Sequence, residues 1–192
     1  MTRTSCAWRC SSRLSGRTPA DAVHNFLDPV RDALSCIVVP ALQVGGGYHQ
    51  SPEPHVMLLA GGEPVPLKGP RKLALTVHHH YRVVEAEGEL GPFKVRSAAY
   101  IYAVDDASGD EVISYHWHPL TTPDITFAHL HFRRVADEYQ ELLHGHFPTG
   151  RVSIERLVRF LIVELAVEPV RGDWQTVLDR TNTLFERYRT WA

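Results

Sequence analysis

The stretch from Glu111 to Arg133 reads EVISYHWHPLTTPDITFAHLHFR and contains two short segments in which apolar and polar residues alternate. Alternation with a period of two is typical of a β-strand with one buried face, because successive side chains point to opposite sides of a sheet. Turn-forming residues between Pro119 and Asp124 separate the two segments. The pattern therefore predicts strands at about 111–118 and 126–133, paired antiparallel across a short connection.

Each of these strands has an apolar side and a histidine-bearing side. The apolar sides carry Ile113, Tyr115 and Trp117 in one strand and Ala128, Leu130 and Phe132 in the other. The opposite sides carry Ser114, His116 and His118 in the first strand and Phe127, His129, His131 and Arg133 in the second. Because the apolar sides must pack against the core, the histidines are expected to share the other face of the sheet.

Two earlier segments, 72–84 and 93–104, divide in the same way. Their polar sides carry His78, His80, Arg82, Lys94, Arg96, Tyr100 and Tyr102. We use the term histidine face for the sheet face that holds His78, His80, His116, His118, His129 and His131. The predicted polar sides contain basic and hydroxyl-bearing residues but no Asp or Glu, so a carboxylate-bound magnesium centre or a carboxylate glycosidase pair is not expected there.

The remaining periodic segments predict helices before and after the sheet. Thr18-Pro19 predicts a helix start, with a kink or break at Pro29, and a short helix is expected at about 135–144. Ser153 and Asp173 precede two segments with apolar residues at helical spacing. The predicted fold is α+β, with an antiparallel sheet of four or more strands at about 72–133, packed on one face by N-terminal and C-terminal helices. Residues 1–18 are predicted to be a basic flexible arm before a single domain at 19–192.

Composition limits the classes of function. The net charge of -2 does not suit a generally basic nucleic-acid binder, although charge can still be polarised locally. Cys6, Cys10 and Cys36 form no CxxC pair, which argues against a disulfide framework and favours a reducing compartment. No apolar run approaches the roughly 20 residues that span a bilayer. We therefore expect a cytoplasmic protein with no membrane partner.

The leading interpretation of the histidine face is cleavage of RNA without a metal or other cofactor. Histidine titrates near neutral pH, so two imidazoles can act as general base and general acid. Lys and Arg can bind phosphate and stabilise the charge of the transition state. The candidate catalytic residues are His116, His118, His129 and His131. The candidate substrate-binding residues are His78, His80, Arg82, Lys94, Arg96, Tyr100, Tyr102 and Arg133.

Two other interpretations of the same residues remain open. The pairs His116/His118 and His129/His131 could chelate zinc or another transition metal, since side chains two apart on a strand stand on the same side. Alternatively, the face could pack against a second copy of the chain without catalysis, and a homodimer is expected. His144 and His146 could overhang the face from the helix side, although a simple loop before a capped helix is the plainer interpretation.

The segment Tyr115-His116-Trp117-His118-Pro119, followed by His129-Leu130-His131, resembles the TumE-like toxin components of bacterial and archaeal toxin–antitoxin pairs. The similarity covers about residues 78–150. It implies a toxin that acts on nucleic acid, with a cognate antitoxin protein as a partner; the residues of the histidine face make RNA the expected ligand. Only His116, His118, His129 and His131 match the motif, and the long N-terminal region and two C-terminal helices depart from the family pattern.

Overall fold

The computed structural model describes residues 15–86, 91–119, 125–133 and 137–188. The helices are α1 (Pro19–Leu34), α2 (Ile154–Val163) and α3 (Trp174–Tyr188), with short 3-10 helices at Ala60–Gly62 and Asp137–His144. The strands are β1 (Ser15–Gly16), β2 (Leu42–Gly45), β3 (His55–Leu59), β4 (Val65–Pro66), β5 (Ala74–Glu85), β6 (Phe93–Asp105), β7 (Glu111–Trp117), β8 (His129–Phe132) and β9 (Phe147–Pro148). The turns predicted at 87–89 and 120–124 lie outside the described residues.

The described strands form one antiparallel sheet in the order β2-β3-β5-β6-β7-β8-β9, with β1 against β6 and β4 against β5. Helices α1 and α2 pack on one face of this sheet, and α3 packs against α1 and α2. Phe26 of α1 contacts the ring of Tyr81, and Phe160 of α2 contacts the ring of Tyr115. The predicted α+β fold, with helices from both ends of the chain on one sheet face, is therefore confirmed. None of the described helices is long and apolar enough to cross a membrane.

Helix α1 begins as its sequence predicts. The Thr18 hydroxyl accepts a hydrogen bond from the Asp21 amide, and the Asp21 carboxylate accepts one from the Thr18 amide, so the two residues form a capping box. Pro29 lies inside the helix, which continues to Leu34 instead of breaking. Helices α2 and α3 begin directly after Ser153 and Asp173, the two predicted capping residues.

The boundary predicted for the N-terminal arm is wrong at its inner end. Residues 1–14 lie outside the described residues, but Ser15 and Gly16 pair with Lys94 and Phe93 at the edge of the sheet. The carbonyl of Ser15 also accepts a hydrogen bond from the Asn25 side chain. Backbone pairing on one side and a helix contact on the other therefore attach residues 15–18 to the domain.

The close contact between β1 and α1 predicts a strong effect of the substitution Gly16→Ala. A Cβ atom at residue 16 would lie 2.2 Å from the Ala22 amide nitrogen and 2.6 Å from the Asp21 carbonyl carbon. Because backbone atoms cannot rotate away as a side chain can, we expect a loss of about 2 kcal/mol in the free energy of unfolding. Urea denaturation measures this loss. Gly150→Ala is the control, since nothing lies within 4 Å of a Cβ there, and equal stability of the two variants would contradict the β1–α1 packing.

Candidate functional site

The register of the sheet places the predicted histidines on one face. His78 on β5 pairs with Ile101 on β6, Ile101 pairs with His116 on β7, and His116 pairs with His129 on β8. Side chains of paired residues project to the same side of a sheet. His80 and His131 follow by alternation along their strands, and the ring of His118, just after β7, contacts those of His116 and His129. The helices cover the opposite face.

A β-bulge in β6 corrects the predicted orientation of Tyr100 and Tyr102. His80 pairs with Ala99 while Tyr81 pairs with Ser97, so Ala98 is an extra residue in β6. One inserted residue reverses the alternation that follows it. Tyr100 and Tyr102 are therefore buried on the helix side, where the Tyr100 hydroxyl accepts a hydrogen bond from the Val152 amide and Tyr102 bonds His79. Their predicted place on the histidine face is wrong.

A second irregularity, in β7, brings carboxylates to the histidine face. Val104 pairs with Ile113 but Asp105 pairs with Glu111, so one β7 residue is extra. The Glu111 carboxylate accepts hydrogen bonds from Ser114, at 2.7 Å, and from Arg133, at 3.1 Å. The sequence-based expectation that this face lacks Asp and Glu is therefore wrong.

Five imidazoles meet at the β7–β8–β9 end of the histidine face. We use the term histidine cluster for His116, His118, His129, His131 and His146. His129 is fully buried at its centre, and its ring centroid lies 4.8 to 5.6 Å from those of the other four. His131 is also buried, whereas His146 is exposed and lies 4.6 Å from His131 between ring centroids. The cluster therefore extends from a buried centre to the protein surface.

Three members of the cluster have the spacing of metal ligands. His116, His129 and His131 each offer one ring nitrogen, and these three atoms lie within 4.8 Å of one another. Nitrogen ligands of tetrahedral zinc are about 3.4 Å apart, given Zn–N bonds of about 2.1 Å, so an inward movement of roughly 1 Å would close the site. Of the four metal ligands predicted from sequence, the structure groups these three, and His118 lies beside them.

Hydrogen bonding orients the central imidazole. His129 Nδ1 donates to the Phe127 carbonyl at 3.0 Å, because a carbonyl oxygen can only accept. The neutral ring then carries its lone pair on Nε2, as it does in many metal-binding histidines. Among the described residues, neither this Nε2 nor the buried Nε2 of His116 has a hydrogen-bond partner. Buried polar atoms are rarely left unpaired, so these two nitrogens are suited to bind a metal ion or another small ligand.

The three candidate ligands, His116, His129 and His131, are mainly uncharged at neutral pH. Burial, together with smaller effects of neighbouring imidazoles, lowers the pKa of His116 and that of His131 to about 4. Burial also lowers the pKa of His129, against a hydrogen bond to Phe127 that raises it. Glu111 raises the pKa of both His116 and His131, but by less than burial lowers it. Neutral imidazole is the form that binds metal ions.

His146 is the cluster member that the strand pattern did not select as a site residue. It stands just before β9, and β9 pairs Pro148 with His129 and Phe147 with Leu130. Only this pairing carries His146 to the cluster, while the exposed His144 stays outside it. The one available signal was the Gly145-His146-Phe147-Pro148 turn close to a predicted helix start, which is also an ordinary loop sequence.

Of the predicted phosphate-binding residues, Arg133 lies near His131, whose pKa its charge lowers, whereas Arg82, Lys94 and Arg96 lie away from the histidine cluster. Arg82 pairs with Arg96, and Lys94 shares their side of the sheet, but β7 pairs with β6 only from Tyr100 onward. At about 3.3 Å per residue, Arg96 is roughly 15 Å along β6 from Ile101, which pairs with His116. One phosphate group cannot contact both sets. His78 and His80 are likewise separated from the cluster by strand β6.

Comparison of the chain with protein-family models, curated proteins and solved structures found no match. The similarity to TumE-like toxins thus stays a prediction from its short motif, and the site has to be interpreted from its own geometry.

Proposed function

We propose that the chain binds a transition-metal ion of the zinc type through His116, His129 and His131. The observation that carries this proposal is the grouping of three imidazole nitrogens within 4.8 Å of one another in the cluster. The buried Nε2 atoms of His116 and His129, which have no hydrogen-bond partner within the described part of the chain, support it. Three neutral nitrogen ligands suit zinc, nickel or copper, and they leave a fourth position of zinc for water or another ligand.

Carboxylates near the cluster favour a cation. Glu111 raises the pKa of both His116 and His131, so its charge acts at two of the three ligands, while at His131 the charge of Arg133 acts in the opposite sense and more strongly. Asp105 lies on the same face opposite Glu111, and burial followed by the charge of Glu111 raises its own pKa. Since Arg133 forms an ion pair with Glu111, the carboxylate is held in place beside Ser114.

Metal content and metal-dependent stability test the proposal. Protein purified without a polyhistidine tag is expected to hold about one equivalent of zinc or a related ion. After chelation and dialysis, zinc at a hundredfold excess over its Kd should stabilise the chain by about 2.7 kcal/mol, because only the folded state assembles the site. For a domain of this size that is a rise of roughly 5 to 10 °C in Tm. Calcium and magnesium serve as control ions, since they prefer oxygen ligands.

Two results would contradict a histidine metal site. Less than about a tenth of an equivalent of any transition metal, together with an unchanged Tm after zinc is added to chelated protein, would falsify the metal-binding proposal. A Tm that rises with magnesium as much as with zinc would show nonspecific charge screening instead of a histidine site.

Metal-independent cleavage of RNA remains the second candidate, and one observation favours it. Arg82 and Arg96 are directly opposed like charges, and within the described part of the chain the buried Nε of Arg82 has no hydrogen-bond partner. A bound anion would offset the repulsion between the two guanidinium groups, and it would accept a hydrogen bond from the Nε of Arg82. However, a general acid needs an imidazolium, and a pKa of about 4 for His116 and His131 leaves little of that form at neutral pH. RNA cleavage by chelated protein would favour this candidate over the metal site.

A further inference from the structure

A pocket of about 450 Å³ lies on the histidine face between β5 and β7. Its floor is formed on β6 by Ala98, Ala99 and Ile101, and its sides include His80 from β5 with His116 and His118 from β7. His116 thus belongs both to the pocket wall and to the proposed metal-ligand set. Any molecule in the pocket would lie next to the metal position.

The β6 bulge accounts for the pocket. The extra residue Ala98 turns the following half of the strand over, so that Ala99 and Ile101 face outward where Tyr100 and Tyr102 were predicted. Two consecutive alanines leave open space between the histidines of the neighbouring strands. Ile101 is 37% exposed, which is high for a large apolar residue in the middle of a sheet. An apolar surface at the bottom of a concave site is typical of small-molecule binding.

The chemistry of the lining limits what can bind. No Lys, Arg, Asp or Glu lines the pocket within the described residues, and its polar residues are His80, His116, His118 and Tyr100, whose hydroxyl is bonded on the helix side. A polyphosphate or nucleic-acid backbone would find no counter-charge there, whereas an apolar body would be desolvated favourably.

We infer that the pocket binds a small, mainly apolar molecule whose single oxygen or nitrogen donor group coordinates the metal ion held by His116, His129 and His131. This inference rests on the proposed metal site. The donor group fills the open metal position, and the apolar body lies over Ala99 and Ile101. The volume is within the range of 300–1,000 Å³ common for small-molecule sites.

Benzohydroxamate and acetohydroxamate test the inference, because they share one metal-binding group and differ in the apolar body. Calorimetric titration of the metal-loaded protein is expected to show benzohydroxamate binding at least about tenfold more tightly, since its phenyl ring leaves water for the pocket. Removing the metal should abolish binding of both. The metal content of each sample is measured alongside.

Substitutions in the pocket floor test whether the preference for benzohydroxamate depends on this pocket. Ala99→Leu should fill the pocket and remove the preference for benzohydroxamate without changing metal content. Ala107→Leu, in the exposed turn between β6 and β7, is the matched control and should keep the preference. Ile101→Ala removes apolar contact without adding bulk and should also weaken the preference, which keeps the test valid if Ala99→Leu does not fold.

The outcomes separate the two proposals. A metal-loaded protein that binds both hydroxamates equally, or whose preference survives both floor substitutions, overturns the pocket inference alone. Equal benzohydroxamate affinity with and without metal also overturns it, because the donor group would then not reach the metal. A protein that holds no metal overturns the proposed function, and this inference with it.

Discussion

Replacing His129 with alanine is expected to weaken zinc binding by at least about a hundredfold. His129 is buried at the centre of the histidine cluster, where its ring contacts four other imidazoles. Its Nε2 is fixed as a lone-pair donor by the Nδ1 hydrogen bond to Phe127. Loss of an outer-shell partner alone typically costs 10- to 100-fold in metal affinity, so loss of an oriented ligand should cost at least as much. Competition with a chromophoric chelator measures the change in Kd.

Two further variants make this result specific. His116→Ala removes another ligand from a half-buried position, and it should give a comparable loss of affinity with a smaller risk to folding. His144→Ala is the matched control, because His144 is exposed and outside the cluster, and its Kd should equal that of the wild type. If His129→Ala and His116→Ala fold normally and bind zinc as the wild type does, the ligand assignment is wrong.

Acid is expected to destabilise the fold strongly through a second histidine, on the opposite face of the sheet. His79 is buried, with Nδ1 bonded to the Tyr102 hydroxyl and Nε2 to the Ser97 hydroxyl. Burial, with a smaller effect of His80, lowers its pKa from 6.5 to about 3. Between pH 6.5 and about pH 3, His79 is therefore protonated in the unfolded chain but neutral in the folded chain. Stability is complete above pH 6.5 and is lost as the pH falls, by roughly 3 kcal/mol at pH 4 from this residue alone.

Urea denaturation of chelated protein at several pH values checks this expectation. His79→Gln should lower stability at neutral pH, because the glutamine fits the hydrogen-bond partners less well, but it should flatten the acid dependence. The lowered pKa of His116 and of His131 adds to the acid sensitivity of both proteins, so only the difference between the two curves reports His79. His144→Gln, at an exposed position, should leave the wild-type curve unchanged. A difference curve without pH dependence would contradict the assignment to His79.

The strand and helix positions were predictable because they depend on local periodicity. Alternation in 111–118 and 126–133 anticipated β7 and β8, and the capping residues Thr18, Ser153 and Asp173 anticipated the starts of all three α-helices. The same alternation puts His79, between His78 and His80, on the core side of β5, where it is buried. In each case the information lies within a few neighbouring residues.

The sheet irregularities were not predictable in the same way. A bulge inserts a residue without a partner, so its position is defined only relative to the neighbouring strand. The Ala98 bulge turned Tyr100 and Tyr102 towards the helices, and the irregularity in β7 brought Glu111 towards the histidines. Both irregularities changed which side chains lie on the histidine face, but neither changed the predicted α+β fold.

The sequence by itself determined that this protein is an α+β domain with a row of histidines on one sheet face, because strand alternation separates core from surface. The tertiary structure alone decided which of those histidines meet. Strand β6 keeps His78 and His80 apart from His116, and pairing of β8 with β9 adds His146 to the cluster. The physical reason is that a metal-ligand set depends on distances across strands, and such distances follow from pairing and register, which a one-dimensional pattern does not contain.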